Sequence, residues 1–257
     1  MSATPHALRR GPRHWLRSFG LMMLWELRSL RLYLPLAIIV QILLGAGMVV
    51  GYGYIIGDVP EPVALYLSTG LAVISMVTIG LVLAPQLIAQ QKLAGVYDYM
   101  FSLPVPRSTT IAAGLVVNSL IALPGLVIAL LVAAWHFDLE FSLRWALLPA
   151  VLLTVVTAAS IGFAFAHAIQ NAQLIGLITQ VLIFGLILFS PISFPPERLP
   201  GWLAAIHDWL PFFHSANVVR WSLTEDLATD PTRSFVVLSI WAVASWATTA
   251  WVVGRRR

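Results

Sequence analysis

Residues 145–196 read WALLPAVLLTVVTAASIGFAFAHAIQNAQLIGLITQVLIFGLILFSPISFPP and contain no Asp, Glu, Lys or Arg. A helix needs about 20 consecutive apolar residues to cross the roughly 30 Å hydrocarbon core of a bilayer. These 52 residues are therefore too long for one crossing. The most polar point inside them is HAIQNAQ, residues 167–173, where we predict a tight turn. The stretch thus predicts two successive membrane-spanning helices.

Four further stretches without charged residues lie at 32–57, 62–91, 108–137 and 234–254. The five stretches together predict an all-α polytopic membrane protein with six transmembrane helices, at about 33–55, 64–88, 109–134, 146–167, 174–192 and 234–253. The composition agrees, because 59% of the residues are hydrophobic and 10% are charged, against about 45–50% and 25% in soluble domains. We expect a transmembrane domain at 33–253, between an N-terminal segment at 1–32 and a basic tail at 254–257.

The charged residues predict the orientation of these six spans. An even number of spans places both termini on one side, and basic residues are retained on the cytoplasmic side. With both termini inside, eleven of the fifteen basic residues are cytoplasmic. They are Arg9, Arg10, Arg13, Arg17, Arg28, Arg31, Lys92, Arg107, Arg255, Arg256 and Arg257. Nine of the eleven acidic residues then lie outside, so we expect a multi-pass protein of the cell membrane (the bacterial inner membrane) with cytoplasmic termini.

Two amphipathic segments flank the spans. From Trp15 to Arg31, helical spacing separates an apolar side from a basic side, which predicts a helix lying on the inner leaflet. The apolar side holds Trp15, Phe19, Met22, Met23 and Leu30, and the basic side holds Arg13, Arg17, Arg28 and Arg31. An extended start of the first span is the alternative. After the fifth span, apolar residues from Trp202 to Leu210 recur at helical spacing and predict a short extracellular helix before the last span.

Several kinds of chemistry lack the residues that they need. The chain has no cysteine and no glycine-rich phosphate loop, and its single lysine, Lys92, follows two glutamines. Ser160 and His167 are seven residues apart on one predicted helix, about 10.5 Å along its axis, which is too far for a nucleophile and its base. His207 and His214 have no third ligand at metal spacing. We therefore expect no catalytic residue, no metal site and no cofactor in this chain.

The charge distribution also limits the possible partners. The net charge of +4 would suggest nucleic acid in a soluble protein, but the topology and the lipid headgroups account for the basic residues here. We therefore expect the lipid bilayer, and no nucleic acid, as a partner. The predicted spans hold no carboxylate or cation, which uphill transport driven by protons or ions usually requires. Any driving energy must come from elsewhere.

Two segments carry a resemblance to a known family. The first is FSPISFPPERLPGWL at 189–203, followed by Leu210-Pro211 and by NVVR at 217–220. The second is the inner loop QKLAGVYDYM at 91–100, which continues to LPVPR at 103–107. With six spans and an inner-leaflet helix, the chain resembles the permease subunits of ABC type-2 exporters over nearly its whole length. Its size is similar to that of the drug, antibiotic and lipid export branch.

The resemblance implies an ABC ATPase on a separate chain, which would bind ATP and Mg²⁺ and drive transport. It implies that the loop 91–107 contacts this ATPase, and we expect the coupling residues to be Lys92, Gly95, Val96, Tyr97, Asp98, Met100, Pro104 and Arg107. The apolar side chains of the loop, Tyr97 and Met100 among them, are predicted to be exposed, because such a patch marks an interaction site. Packing of the loop against the membrane interface is the alternative. Movement of the loop is expected to tilt the second and third spans.

The resemblance also implies that the second and fifth spans face a cavity between two permease subunits. The polar residues expected to line the substrate pathway are Ser68, Ser75, Thr78, Gln173, Gly176 and Gln180. Hydrogen bonding between spans is an equally good explanation of each residue taken singly. The function implied is export of a hydrophobic or amphipathic substrate. The alternatives are a secondary carrier and a membrane scaffold or binding protein that does not transport.

The first span carries four glycines, Gly45, Gly47, Gly51 and Gly53. Gly47 and Gly51 have the G-x-x-x-G spacing that lets two membrane helices approach closely. We therefore expect two permease subunits, identical or homologous, to pair through this span with help from the fifth. Gln41 is expected to add an interhelical hydrogen bond. The alternative is that the glycines seat the first span against another span of the same chain.

Overall fold

The computed structural model describes residues 11–31, 33–57, 60–225, 227–228 and 230–255. In these residues the chain is helical and has no β-strand. Its α-helices are α1 (Pro12–Leu30), α2 (Leu34–Ile56), α3 (Glu61–Thr78), α4 (Ala84–Leu93), α5 (Val96–Ser102), α6 (Arg107–Phe137), α7 (Leu147–Ala168), α8 (Ala172–Phe189), α9 (Gly201–His207), α10 (Pro211–Leu223) and α11 (Pro231–Arg255). A π-helical turn (Ile79–Leu83) joins α3 to α4, and a 3₁₀ turn (Pro196–Arg198) precedes α9.

The prediction of six membrane-spanning helices is confirmed. By length and apolar composition, the spans among the described residues are α2, the continuous helix Glu61–Leu93, α6, α7, α8 and α11. The turn predicted at 167–173 lies between Ala168 and Ala172, where Asn171 caps α8 by accepting hydrogen bonds from the backbone N–H groups of Gln173 and Leu174. The second, third and sixth spans extend beyond the predicted limits at both ends, whereas the fifth ends at Phe189 and not at the predicted position 192. The second continues five residues past position 88, because no helix-breaking residue follows before Gly95.

The second span is the most buried of the six. In its most apolar stretch 72% of the residues are buried, against 17% in the first and fifth spans. It crosses the fourth span at two glycines, and a Cβ on Gly162 would overlap the backbone oxygen of Gly80. Pro85 follows just after the π-helical turn. The wider turn relieves the clash that a proline ring makes with the preceding turn of an α-helix.

The two ends of the bundle differ in what they carry. At one end, Trp15 Nε1 of α1 donates to Ser108 Oγ (3.0 Å) and Arg107 Nη1 donates to the backbone oxygen of Val253 (2.7 Å). This end holds α1, α5 and the turn between α7 and α8, and we call it the basic end. At the opposite end, the loop before α7 pairs with the end of α10, where the backbone N–H of Ser142 donates to the oxygen of Leu223 (2.9 Å).

The predicted N-terminal amphipathic helix is present as α1, separate from the first span. It packs on α6 through a buried face of Ser18, Met22, Glu26 and Leu30, and Trp15 stacks on Phe19. Its outer face mixes leucine with arginine, and the exposed fraction of Leu16 is 62%. Such a mixed face suits the bilayer interface, where arginine side chains reach the headgroups from among apolar neighbours. Arg9, Arg10, Arg256 and Arg257 lie outside the described residues.

The segment before the last span holds two helices where the sequence predicted one. The short helix α9 is confirmed, with Trp202 and Ile206 on its exposed side and the exposed Trp209 just after it. The predicted helix was expected to continue to Leu210, but it ends at His207, and Pro211 begins a second helix, α10. A proline fits the first turn of a helix, where its missing N–H would have no partner. Unlike α9, α10 is almost entirely buried.

Candidate coupling site

The loop after the second span forms a short helix at the basic end. Gly95 joins α4 to α5 with φ +71°, a left-handed conformation that glycine adopts without the steric cost of a Cβ. The turn reverses the chain, so that α5 lies against the ends of the second and fourth spans. Pro104 is exposed in the connection from α5 to the third span.

Two side chains attach this corner to the end of the fourth span. Lys92 Nζ donates to the backbone oxygens of Ala166 (2.6 Å) and Ile169 (2.5 Å), and it lies 5.0 Å from the ring centroid of Tyr97. These carbonyls lie at the C-terminal end of α7, where backbone oxygens lack partners within the helix. The Tyr97 hydroxyl is hydrogen-bonded to His167 Nδ1 at 2.8 Å. The helix α5 is therefore bonded to the fourth span as well as covalently joined to the second and third.

Two of the predicted coupling residues do not have the exposure that we expected. Tyr97 and Met100 are buried, with exposed fractions of 3% and 4%. They lie on the side of α5 that packs on the bundle. Some of the apolar side chains of the loop are therefore buried inside the chain and not exposed to a partner. The exposed side chains around α5 are Leu93 (73%), Val96 (36%), Tyr99 (56%) and the carboxylate of Asp98. Arg107 reaches the last span through the hydrogen bond to Val253.

A small cavity lies just behind α5. It has a volume of about 30 Å³, which is room for a water molecule. Its polar lining comes from four helices and comprises Glu26, Gln91, Thr110, Asn118 and His167. Burial raises the pKa of Glu26 to about 7, and Asn118 Oδ1 has no hydrogen-bond partner among the described residues. The sequence analysis missed this cluster, although Glu26 lies on the same helical face as Met22 and Leu30.

The predicted pathway residues lie in two different environments. On the second span, Ser68 and Ser75 are fully buried inside the chain, and Ser75 Oγ donates to the backbone oxygen of Ala72 (2.8 Å). The expectation that they line an open pathway is therefore wrong for this conformation. Thr78 is half-buried at the wall of a groove between the first and second spans. On the fifth span, Gln173 and Gln180 are exposed. Gly176 is half-buried beside open space.

The glycines of the first span divide into two pairs. Gly45 packs against Gly125 and Ala129 of the third span, and Gly53 packs against His136 and Phe137. Gly47 and Gly51 have nothing within 4 Å of the position a Cβ would take. The first pair therefore seats the span within the chain, which is the alternative we considered. The second pair is free to meet another molecule.

Gln41 is not available to a second subunit. Its side chain is fully buried, and Nε2 donates to the backbone oxygens of Ile121 (3.4 Å) and Ala122 (3.3 Å) of the third span. The predicted interhelical hydrogen bond therefore exists, but within the chain. The expectation that Gln41 contributes to a dimer interface is wrong, because its helical face is the one that packs on α6.

A buried polar cluster at the opposite end holds α10 in place. The Arg220 guanidinium donates to the backbone oxygen of Ile192 (2.7 Å), to that of Tyr66 (3.3 Å) and to Thr69 Oγ1 (3.2 Å). It also lies 3.5 Å from the centroid of the Tyr66 ring. Burial lowers the pKa of Arg220 to about 10, which leaves the group charged at neutral pH.

A second part of this cluster joins α10 to the last span. His214 Nδ1 is hydrogen-bonded to Ser234 Oγ (2.9 Å), which also accepts from Asn217 Nδ2 (2.9 Å). Burial lowers the pKa of His214, so its neutral form is favoured. The sequence analysis took His214 only as an incomplete metal ligand and missed this role. The signal was present, because polar residues recur through a segment that begins with Pro211.

Comparison with known protein families relates the chain to one of them. The model of a protein family described as ABC-2 type transporter matches residues 20–224. This range includes most of α1, five of the six spans, α5 and α10. No curated protein matches the chain.

Proposed function

Since the chain belongs to the ABC-2 type transporter family and is a membrane permease component of an ABC transporter, we propose that it forms the translocation path of an exporter for a hydrophobic or amphipathic substrate. Permeases of this family are transmembrane components that generally do not catalyse a reaction themselves, and the family implies an ABC ATPase partner. In our proposal ATP and Mg²⁺ bind to that ATPase on a separate chain. The basic end and both termini face the cytoplasm, and the path lies between two permease subunits in the bacterial cell membrane.

The observation that supports ATPase binding best is the exposed surface around α5. Leu93, Val96 and Tyr99 present apolar side chains to the space beyond the basic end, and Asp98 adds a charge beside them. Exposed apolar side chains rimmed by polar groups mark interaction sites. Lys92, Gly95, Tyr97, Met100 and Arg107 then act as positioning residues that hold the surface against the bundle. This division assigns every predicted coupling residue except Pro104 a role based on its contacts or its exposure.

The contacts of α5 indicate how a movement of the ATPase would reach the membrane. Because Lys92 and Tyr97 are bonded to the end of the fourth span, a displacement of α5 acts on the second, third and fourth spans together. Ile169 lies in the turn between the fourth and fifth spans, so the fifth span would move as well. The π-helical turn at 79–83 lies in the second span between α5 and the opposite end, and π-turns are frequent at functional sites.

In a single chain, the exposed surface of the fifth span is our candidate for the wall of the substrate path. Gln173 and Gln180 project from it among exposed apolar side chains such as Leu177 and Phe184. Polar groups interspersed on an apolar surface suit an amphipathic substrate. In this proposal Ser68 and Ser75 would line the path only if the second span separated from its neighbours during transport.

Two leucines at opposite ends of the molecule provide the test of ATPase binding. The exposed fractions of Leu93 and Leu143 are 73% and 74%, and Leu143 lies in the loop before α7, at the end opposite α5. We expect Leu93→Asp to lower the amount of ATPase that co-purifies with the chain by more than about ten-fold, because it places a charge in an apolar contact. Leu143→Asp makes the same chemical change outside the contact and is expected to retain the ATPase.

The experiment uses the full chain expressed together with a candidate ABC ATPase subunit, with membrane insertion of each variant measured by blotting. Equal ATPase recovery with both variants would contradict binding at α5. Substrate movement by the purified chain in vesicles without any ATPase would contradict the exporter itself and favour a carrier.

A further inference from the structure

A groove on the flank of the bundle has the dimensions of a lipid chain. It lies between the first and second spans and encloses about 380 Å³, within the range of about 300–1,000 Å³ that is typical of ligand pockets. On the first span it extends from Leu34 to Leu44, and on the second from Thr78 to Gln90. At 1.5 Å per residue these lengths are about 15 and 18 Å. One leaflet of the hydrocarbon core is about 15 Å thick, half of roughly 30 Å.

The groove changes from apolar to polar along its length. Its walls toward the middle of the membrane are Val40, Leu44, Ile79 and Val82. The Thr78 hydroxyl donates to the backbone oxygen of Ile74 (2.7 Å), so its hydrogen is not offered to the groove. Toward the basic end the lining includes Gln86, Gln90 and Tyr33. The groove therefore offers hydrocarbon contacts deep in the leaflet and hydrogen-bonding groups where lipid headgroups lie.

The mouth of the groove also carries positive charge. Arg31 lies between two residues that line the groove, Leu30 and Tyr33, and Arg28 is one turn earlier on α1. Both arginines are exposed, and neither forms an ion pair among the residues that the structure describes. Glu26, the acidic residue nearest in sequence, is buried in a different cavity. The charge near the mouth is thus complementary to an anionic headgroup.

From these three features we propose that the groove binds one anionic phospholipid of the leaflet at the basic end. One acyl chain fills the space between the first and second spans, and the phosphate lies beside Arg28, Arg31, Tyr33 and Gln90. The lipid is a resident component that fills the gap between two spans, and its binding does not depend on the proposed export activity.

Photo-crosslinking with lipids of defined headgroup tests this proposal. The purified full chain is placed in nanodiscs that contain a trace of phosphatidylglycerol or phosphatidylcholine with a diazirine on one acyl chain, and the labelled residues are mapped by mass spectrometry. We expect phosphatidylglycerol to label residues 34–44 and 78–90 in preference to the remaining lipid-facing surface. Phosphatidylcholine should label the same residues at least ten-fold less.

Matched variants separate the groove from the rest of the surface. Ala37→Trp and Val82→Trp fill the groove from its two walls and should each lower phosphatidylglycerol labelling there by more than about ten-fold. Leu43→Trp adds the same side chain to the first span outside the groove, at a residue with 66% exposure, and should leave the labelling unchanged. Arg28→Gln and Arg31→Gln should each lower labelling about five-fold, whereas Arg13→Gln near the start of α1 should not.

Three outcomes would overturn the proposal. They are uniform labelling of all exposed spans, equal labelling by the two lipids, and crosslinks from the groove to a second copy of the chain. The last would show that a protein helix, and not a lipid, occupies the groove.

Discussion

The first and second spans are equally apolar in sequence but have opposite surroundings. The glycines of the second span lie against other parts of the chain, since a Cβ at Gly70 would overlap the backbone of Ile192 and one at Gly80 would overlap that of Ala158 and Ala159. In the first span, Gly47 and Gly51 face open space. In the second span both glycines therefore serve close packing within the chain, whereas in the first span Gly45 and Gly53 do so and Gly47 and Gly51 leave a surface available. Apolar composition predicts that a helix inserts in the membrane, but not which neighbours it has.

The largest loss of stability is expected from a substitution at the point where the second span crosses the fourth. Gly162→Leu would force a side chain into the backbone of Gly80, and even smaller overpacking costs about 1–3 kcal/mol. We expect a loss of more than about 4 kcal/mol, seen as failure to give a monodisperse protein in detergent. Gly47→Leu, the matched change in the first span, should alter the stability of the chain by less than about 0.5 kcal/mol. Equal damage by the two changes would remove the contrast between the spans.

A smaller loss of stability is expected from replacing Arg220, which binds the end of the second span opposite α5. Arg220→Met keeps the length of the side chain but removes the donor to the buried oxygens of Ile192 and Thr69. Each buried group that loses its partner costs about 1–3 kcal/mol, so we expect a loss of about 3 kcal/mol in thermal unfolding.

The exposed Arg233 provides the control for Arg220. It forms a 3.6 Å ion pair with Asp208 in which both side chains are about half exposed. Such pairs contribute about 0–1 kcal/mol, so Arg233→Met should change the midpoint of unfolding very little. A comparable loss in both variants would show that burial of Arg220 is not what stabilises this region.

The requirements of a membrane determine which parts of this architecture can be predicted from the sequence. Six helices and the turn near Asn171 were predictable, because every span needs about 20 apolar residues and polar residues interrupt that pattern. The side of each helix that faces inward was not predictable. Gln41 and Gly47 lie on one apolar helix, and only the position of α6 makes the first buried and the second exposed. Likewise Tyr97 and Tyr99 are equivalent in sequence, yet packing on the bundle buries only Tyr97.

The candidate site was predictable in position but not in detail. The loop 91–107 was identified from its sequence, and in the structure it forms a short helix after Gly95. The attachment to the fourth span was not predictable, because Lys92 and Tyr97 find their partners about 70 residues away, at Ala166 and His167. Such contacts depend on tertiary packing, which a single sequence does not display.

Glu26 is expected to make the stability of the chain moderately dependent on pH. Its pKa is raised from 4.5 to about 7, so the folded state holds a proton that the unfolded state releases. Stability is therefore greatest below about pH 4.5, falls as the pH rises to about 7, and then levels off. At about 1.4 kcal/mol per pKa unit, we expect a loss of about 2 kcal/mol between pH 5 and 7.5. Hydrogen exchange of α1 at the two pH values measures it.

The variant Glu26→Gln separates this residue from its neighbours. His167 lines the same cavity and is bonded to Tyr97, so it could contribute its own pH dependence. In the variant the protection of α1 should no longer fall over this range. A fall of the same size in Glu26→Gln would assign the effect to His167 or to another group.

The smallest change in the stability of the chain is expected from cysteines introduced in the first span. These cysteines test the proposed dimer. The chain has no native cysteine. Gly47→Cys and Gly51→Cys should form crosslinks between two permease subunits in membranes while leaving the stability of each chain unchanged. Gly45→Cys, which faces the third span, should form none. Crosslinks from Gly45 alone, or from none of the three, would place the partner subunit elsewhere.

The most direct test of the account is to identify what contacts α5 in the intact membrane. A photo-crosslinking amino acid is introduced at Leu93 in one sample and at Leu143 in another, and the adducts formed in cells are identified by mass spectrometry. We expect an ABC ATPase joined to position 93 and absent from position 143. Adducts of an ABC ATPase at both positions, or lipid alone at position 93, would contradict the claim that this end of the permease receives the force of ATP hydrolysis.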